Sequence, residues 1–173
     1  MTLLLRVIDE AAAQAIVAGR CPEGAACAPD FPAESDQVAA AMFLERCAAG
    51  LDPRPFGAFL VCRVAEVTES AYLTTDSPQP GEIIGSIGFH GGVDERGRVE
   101  IGYGIVASER RQGHATQALR LLVERARELG AGTLFAECEV ANEPSQAVLS
   151  RVGFTRYAQD ERAVLFELAL GCS

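Results

Sequence analysis

Arg110-Arg111-Gln112-Gly113-His114-Ala115 follows a strand-like run and opens an amphipathic helix, and Asn142-Glu143-Pro144-Ser145 opens a shorter helix ending at Gly153-Phe154, with another strand-like run between them. Glycine at 113 lets the backbone turn tightly and leaves the neighbouring amides unshielded by a Cβ. The first turn of a helix carries amide hydrogens with no intrahelical partner, and the aligned peptide dipoles add partial positive charge there. A pyrophosphate fits such a place. Arg110 and Arg111 add fixed charge beside it, although paired arginines on a loop are more often simply solvated. The helix behind the loop is carried by Ala115, Ala118, Leu119, Leu122, Ala126 and Leu129 at helical spacing and is stopped by Gly130. That spacing alone establishes a buried face and no more.

Two other phosphate-binding patterns fail on context. A nucleotide triphosphatase loop needs Gly-x-x-x-x-Gly-Lys-Ser/Thr, and no lysine follows Gly113. Gly102-Tyr103-Gly104-Ile105-Val106-Ala107 matches the loose dinucleotide fingerprint, but Ser108 to Gly113 interrupts the helix that must follow. The acidic residues further on fall inside the next helix rather than at a strand end.

The chain of 173 residues is long enough for one continuous core, and 49% hydrophobic content with alternating helix and strand patterns argues a globular α/β (α+β) protein. No apolar run is long enough to span a bilayer, and Arg6, Asp9 and Glu10 interrupt the N-terminal leucines, so no membrane is expected and the location is read as cytoplasmic. A formal charge of -9 argues against nucleic acid bound through a general basic surface and suits cationic small molecules or peptides. Six cysteines at 21, 27, 47, 62, 138 and 172 include no close Cys-x-x-Cys pair, so reduced thiols are expected. Cys62 and Cys138 lie in apolar strand-like runs and read as core. The two histidines, at 90 and 114, lie far from Cys21 and Cys27, so no metal is expected.

Along the chain, Leu3 to Ile8 reads as a strand, and Asp9 caps an alanine-rich helix running to about Gly19. Residues 21 to 34, rich in Pro, Gly and Ala, read as a loop, with Ser35 or Asp36 starting a second helix that ends near Gly50. Phe56 to Val67 is strand-like, and Thr68 to Gly81 is expected to form a mobile hairpin loop. Glu82 to Phe89 and Val99 to Val106 give strands joined by the glycine-rich turn from Gly91 to Gly97. Leu134 to Val140 is another strand, and Thr155 to Gln159 with Arg162 to Leu168 form a closing pair.

This order, with Gly85-Ser86-Ile87-Gly88-Phe89, Glu100-Ile101-Gly102-Tyr103, the Gly113 loop, the Asn142/Ser145 pair, Leu149 and Gly153-Phe154, resembles the Gcn5-related N-acetyltransferase (GNAT) family. The texture is most similar to the subgroup that acetylates ribosomal-protein N-termini, which also contains proteins acting on other amines. The resemblance implies a single N-acetyltransferase domain over 1–173, with an acetyl-CoA-binding core at 82–168 and acceptor-side elements mainly at 1–81. Its sheet would be mixed, mostly antiparallel, splayed in the middle and flanked by helices. Acetyl-CoA is the implied co-substrate, without a metal, and the acceptor is an amine, either a small molecule or a peptide N-terminus. A homodimer stays open.

The resemblance also implies where the co-substrate lies. The strand from Val99 to Val106 would diverge from that at Leu134 to Val140 and admit the pantetheine arm, with backbone groups of Tyr103, Gly104 and Ile105 pairing with it like an added strand. Arg110 and the amides of Arg111, Gln112, Gly113, His114, Ala115 and Thr116 would hold the pyrophosphate. Asn142 would fix the far part of the arm, and Ser145 would sit near the sulfur. Helix capping and turn chemistry alone also account for Asn142 and Ser145.

An amine with a pKa of about 8 to 10 arrives mostly protonated at neutral pH, so the reaction needs a base. Glu100 stands where the family often places a carboxylate, unless it is only a solvent-facing glutamate at a strand edge. His90 is the second candidate, since imidazoles titrate at about 6.5. The family's tyrosine four residues before Gly-Phe is here Leu149, so Ser145 or water would protonate the departing thiolate. A thiol with pKa of about 8.5 leaves readily in any case. Direct transfer is expected rather than an acetyl-cysteine intermediate, because no cysteine lies in either signature. The leucine at 149 also leaves room for a non-catalytic acetyl-CoA sensor of the same fold.

Overall fold

Leu3, Leu4 and Leu5 are all buried although successive strand side chains point to opposite faces, so their strand must be covered on both sides. The structure, a computed structural model, describes residues 2–51, 54–64, the backbone of 72–73, and 81–171. In chain order the elements are β1 (Thr2–Val7), α1 (Glu10–Val17), β2 (Ala26–Cys27), α2 (Glu34–Ala48), β3 (Ala58–Val64), β4 (Tyr72–Leu73), β5 (Glu82–Phe89) and β6 (Arg98–Ile105). A 3-10 turn (Ala107–Glu109), α3 (His114–Glu128), β7 (Thr133–Glu139), α4 (Glu143–Val152), β8 (Thr155–Gln159) and β9 (Ala163–Ala169) complete them.

The strands form one mixed sheet in the order β4-β1-β3-β5-β6-β7-β9-β8, with β2 added beside β5. Along that order pairing is antiparallel except β1 with β4 and β6 with β7, as the mostly antiparallel expectation required. Strand β5 is buried along nearly its whole length, which requires cover on both faces, and both α2 and α3 pack against it. Ala118, Leu119, Leu122 and Ala126 are buried on α3, as the periodicity predicted, and Val123 joins them, whereas Ala115 and Leu129 are half-buried.

Several boundaries differ from the sequence reading. Asp9 does cap α1, accepting a hydrogen bond from the Ala12 amide at 2.7 Å. Helix α2, however, starts at Glu34 with Ala33 as its cap, and the Asp36 carboxylate reaches back to accept from the Ala33 amide at 2.9 Å. Asp36 is therefore inside the helix and almost fully buried. The 21–34 loop contains β2, which pairs with Glu82 and Ile83 on β5. Cys21 and Cys27 are joined by a disulfide with Cα atoms 6.1 Å apart, overturning the expectation of reduced thiols for this pair. The Pro22-Glu23-Gly24 turn, with Gly24 at φ 72°, folds the loop back and brings the two cysteines face to face. Cys62 and Cys138 are buried free thiols, as expected. The last three residues of the 56–67 strand and most of the 68–81 loop lie outside the described residues. Tyr72–Leu73 forms the short parallel strand β4.

Asp36 also ties α2 to the sheet, because its Oδ1 accepts from the Ser86 hydroxyl of β5 at 2.5 Å. Burial raises its pKa above the ordinary 3.8, and the hydrogen bonds from Ser86 and Ala33 oppose that rise. A raised native pKa means that the folded chain binds this proton more tightly than the unfolded one. The contribution to stability is then most favourable below about pH 3.8 and declines as pH rises toward the native value. Ser86→Ala removes an opposing hydrogen bond from a buried carboxylate, so it should cost about 1–3 kcal/mol at pH 7. The loss should shrink toward pH 4, where the carboxyl is increasingly protonated. Urea unfolding of both proteins across pH 7 to 4 measures it, and an equal loss at every pH would deny Asp36 this role.

Candidate functional site

Strand β6 pairs with β7 only at Arg98↔Thr133, Val99↔Leu134 and Glu100↔Phe135, whereas its pairing with β5 runs on from Ile101 to Ile105. Beyond Glu100 the two parallel strands separate. A cavity of about 630 Å³ opens in the wedge, lined by β5, β6, β7, α2 and the start of α4. Glu100, Tyr103, Gly104, Asn142 and Ser145 all line it, and so do His90 and Leu149. Ile105 and the 110–116 loop lie beyond it, where the chain leaves β6 for α3.

The loop is a backbone anion site in form. Arg111 has φ 60° and Gly113 φ 84°, two left-handed residues flanking Gln112, the kind of turn that forms anion-binding concavities of backbone amides. Gly113 caps α3, and the amides of residues 111–116 donate to no acceptor among the described residues. The Thr116 hydroxyl, buried in the first turn, has no partner among them either. Donors of this kind, with Arg111 exposed beside them, fit a pyrophosphate. The Arg110 side chain turns elsewhere, its Nε donating to the Ile105 carbonyl at 2.9 Å and holding the end of β6. His114 turns inward, its Nδ1 lying 3.2 Å from the Glu109 carbonyl, so only its backbone faces the loop mouth. Glu109 is itself buried and paired with Arg63 at 3.4 Å.

The two candidate bases sit together. His90 Nδ1 lies 3.5 Å from Glu100 Oε1, both side chains are about a third exposed, and both face the cavity. Gly102 explains how the imidazole fits, because a Cβ there would collide with the ring. Glu100, Gly102 and Gly104 share one face of β6 by strand alternation, and the Gly104 backbone faces Ser35 of α2 on that side.

Tyr103 lies on the opposite face of the strand. Its hydroxyl is 2.7 Å from Ser145 Oγ and 3.1 Å from the Ser145 carbonyl oxygen, to which it can donate. Burial pushes the phenol's pKa up to about 12, so it stays protonated. Only its backbone was singled out from the sequence, and no spacing rule links the side chain to Ser145, 42 positions away. Asn142 Oδ1 accepts from the Ser145 amide at 3.2 Å, the capping role its type favours. Leu149 is fully buried in the cavity wall. Burial raises the pKa of Cys138, which keeps it a thiol. No group of three or more potential metal ligands occurs among the described residues, and no helix among them is long and apolar enough to cross a membrane.

The arrangement has counterparts in known proteins. The family model of the acetyltransferase (GNAT) domain matches residues 2–155. The N-acetyltransferase YjdG of Bacillus subtilis is 40% identical over 75 residues, spanning 42% of this chain and 44% of that protein, less than half its length. Among solved structures, RimL, a ribosomal-protein alpha-N-acetyltransferase in complex with coenzyme A, superposes with a TM-score of 0.62 at 18% identity, covering 98% of this chain and 94% of that one. For yncA of Salmonella typhimurium, solved with acetyl-CoA, the TM-score is 0.59 at 18% identity, with 99% and 95% covered. A splayed sheet of this topology, a glycine-capped helix at the mouth of the wedge and a family match over most of the length lead to one assignment: the chain belongs to the GNAT family of acetyltransferases.

Proposed function

We propose that the wedge between β6 and β7 is the site where acetyl-CoA donates its acetyl group to a primary amine, by direct transfer. The observation that carries the reading is the placement of two polar pairs, His90–Glu100 and Tyr103–Ser145, from opposite faces of β6 into one cavity. A transferase needs a group that takes a proton from the attacking amine and another that meets the charge leaving on sulfur. Together the pairs favour turnover over a purely binding role for the fold.

The chain's own residues would act as follows. Backbone groups of Tyr103, Gly104 and Ile105 would hold the pantetheine arm, and the amides of Arg111 to Thr116 the pyrophosphate. When bound, acetyl-CoA supplies an activated thioester. Glu100, with His90 beside it, would take the amine's proton directly or through a water. Ser145 would face the thioester sulfur with its hydroxyl. When Tyr103 donates to Ser145 Oγ, the serine proton is free to point into the wedge. A phenol held near pKa 12 is too weak an acid to lose its proton to a thiolate, so Tyr103 would polarise Ser145 rather than protonate anything itself. The raised pKa of Cys138 disfavours an acetyl-cysteine. A cytoplasmic location fits the supply of acetyl-CoA and the buried thiols at 62 and 138, while the Cys21–Cys27 disulfide weighs against it.

Three variants test these roles. Gly113→Val places a β-branched residue at φ 84°, a left-handed conformation that costs about 1–2 kcal/mol, so although a Cβ there meets open space the strain should turn the loop and its amides out of place. Calorimetry should show acetyl-CoA affinity lost in a variant that circular dichroism finds folded. Glu100→Gln should lower kcat about 10²- to 10⁴-fold with cofactor affinity retained, and the deficit should narrow as pH rises and more amine arrives neutral. Near-normal turnover at pH 7 would shift the base to His90 or to water. Tyr103→Phe keeps the ring and removes the donor, so kcat should fall about tenfold while acetyl-CoA affinity and acceptor KM hold. Release of free CoA with a panel of amines and peptides tests the reading as a whole.

A further inference from the structure

We infer that the acceptor carries an anionic carboxylate close to its amine, and that Arg46 of α2 binds it, so the substrate class is the free amino acids, preferably those with an apolar side chain. The inference rests on the reading of the wedge as the acetyl-transfer site, and concerns the end of the cavity remote from the loop at 110–116.

Arg46 lines that end. Its Nε is buried without a hydrogen-bond partner, and the guanidinium makes no ion pair among the described residues. A buried Nε–H without an acceptor is costly, and an anion on the guanidinium is the ligand that would complete it. It lies beside the turn after β5, since a Cβ on Gly91 would be 3.5 Å from Arg46 Nη1. Gly91 follows His90 directly, so the guanidinium and the His90–Glu100 pair border the same end of the cavity. A small zwitterion that sets its amino group against Glu100 carries its carboxylate only a few bonds away, and Arg46 is the cation that borders this end to receive it. A peptide N-terminus offers a neutral amide at that distance and would leave the guanidinium unanswered.

The rest of this end supports the same class. Ser35, Val38, Met42 and Arg46 recur at helical spacing along one stripe of α2 that faces the cavity. Val38 and Met42 are 55% and 38% exposed, large apolar side chains with one side left open. Phe56 and Phe89, edge to face with centroids 5.2 Å apart, close the opposite wall. Glu34 and Glu100 repel an anion placed anywhere else at this end, so the orientation of a zwitterion is set by Arg46 alone.

The test uses three acceptors with one side chain: leucine, leucinamide and 3-methylbutylamine, which present a carboxylate, a neutral amide and nothing beside the same primary amine. With acetyl-CoA, kcat/KM from CoA release should favour leucine over the other two at least about tenfold, as a charged hydrogen-bonded pair requires. Arg46→Met, which keeps the apolar stem, should bring the ratio close to one, and Arg46→Lys should restore part of it. Independently of turnover, calorimetry should show N-acetylleucine binding the full chain at least about tenfold more tightly than N-acetylleucinamide, with the difference gone in Arg46→Met. Equal use of the three acceptors, or an Arg46→Met variant that retains the preference, would overturn the carboxylate site while leaving acetyl transfer standing. No CoA release from any amine, with acetyl-CoA bound, would overturn the transfer reading instead, and the product-binding ratio would still decide for or against Arg46.

Discussion

Every part of the site depends on the loss of pairing between β6 and β7 after Glu100↔Phe135. From Ile101 onward, β6 is bonded to β5 on one side only. Alternate N–H and C=O groups of that stretch then face a gap in the middle of a sheet, where buried backbone polar groups require a partner. A ligand with amide groups of its own can run along such an edge as a further strand. Because the parting occurs in the interior of the sheet, the edge is sheltered by helices on both faces rather than exposed to other chains.

Strand alternation converts that gap into a two-sided site. Glu100 and Tyr103 are three positions apart and therefore on opposite faces of β6, one beside His90 and the other beside Ser145. In a closed sheet the two faces would be separated by backbone. Here the missing strand pairing lets both reach one volume, so a group that accepts a proton and a group that donates a hydrogen bond approach the same space from different directions.

The surrounding structure keeps the loop at 110–116 in register with this volume. Arg63 of β3 pairs with Glu82 of β5 and with the buried Glu109, and His114 bonds back to the Glu109 backbone, so the turn before α3 is anchored in the sheet. The Asp30 carboxylate accepts from the Ser108 amide and hydroxyl and ties the same turn to the loop after β2. Arg110 adds a bond to the end of β6. The left-handed conformations of Arg111 and Gly113 are thus held by their neighbours, as a loop that presents backbone amides to an anion requires.

Whatever follows from local chemistry was legible along the chain. Glycine at 113 before an apolar 3.6-residue repeat dictates a capped helix, Asn142 dictates a cap with Ser145 inside it, and the apolar runs at 3–8, 82–89, 99–106, 134–140, 155–159 and 162–168 dictate strands to within a residue. The order of those elements, together with the Gly113 loop and the Asn142–Ser145 signature, was enough to reach the family. Packing alone settled what depends on partners distant in the chain. The Tyr103–Ser145 contact joins residues 42 positions apart, Asp36 is a buried tie to Ser86 50 positions away as well as a capping contact within α2, and Arg46 reaches the turn after His90. The Cys21–Cys27 disulfide belongs to the same group, because it needs the loop to be folded back by a turn and by pairing of β2 with β5. Spacing along a chain fixes which face of its own element a side chain occupies, but which side chain meets it from another element is set only when the sheet and helices have packed.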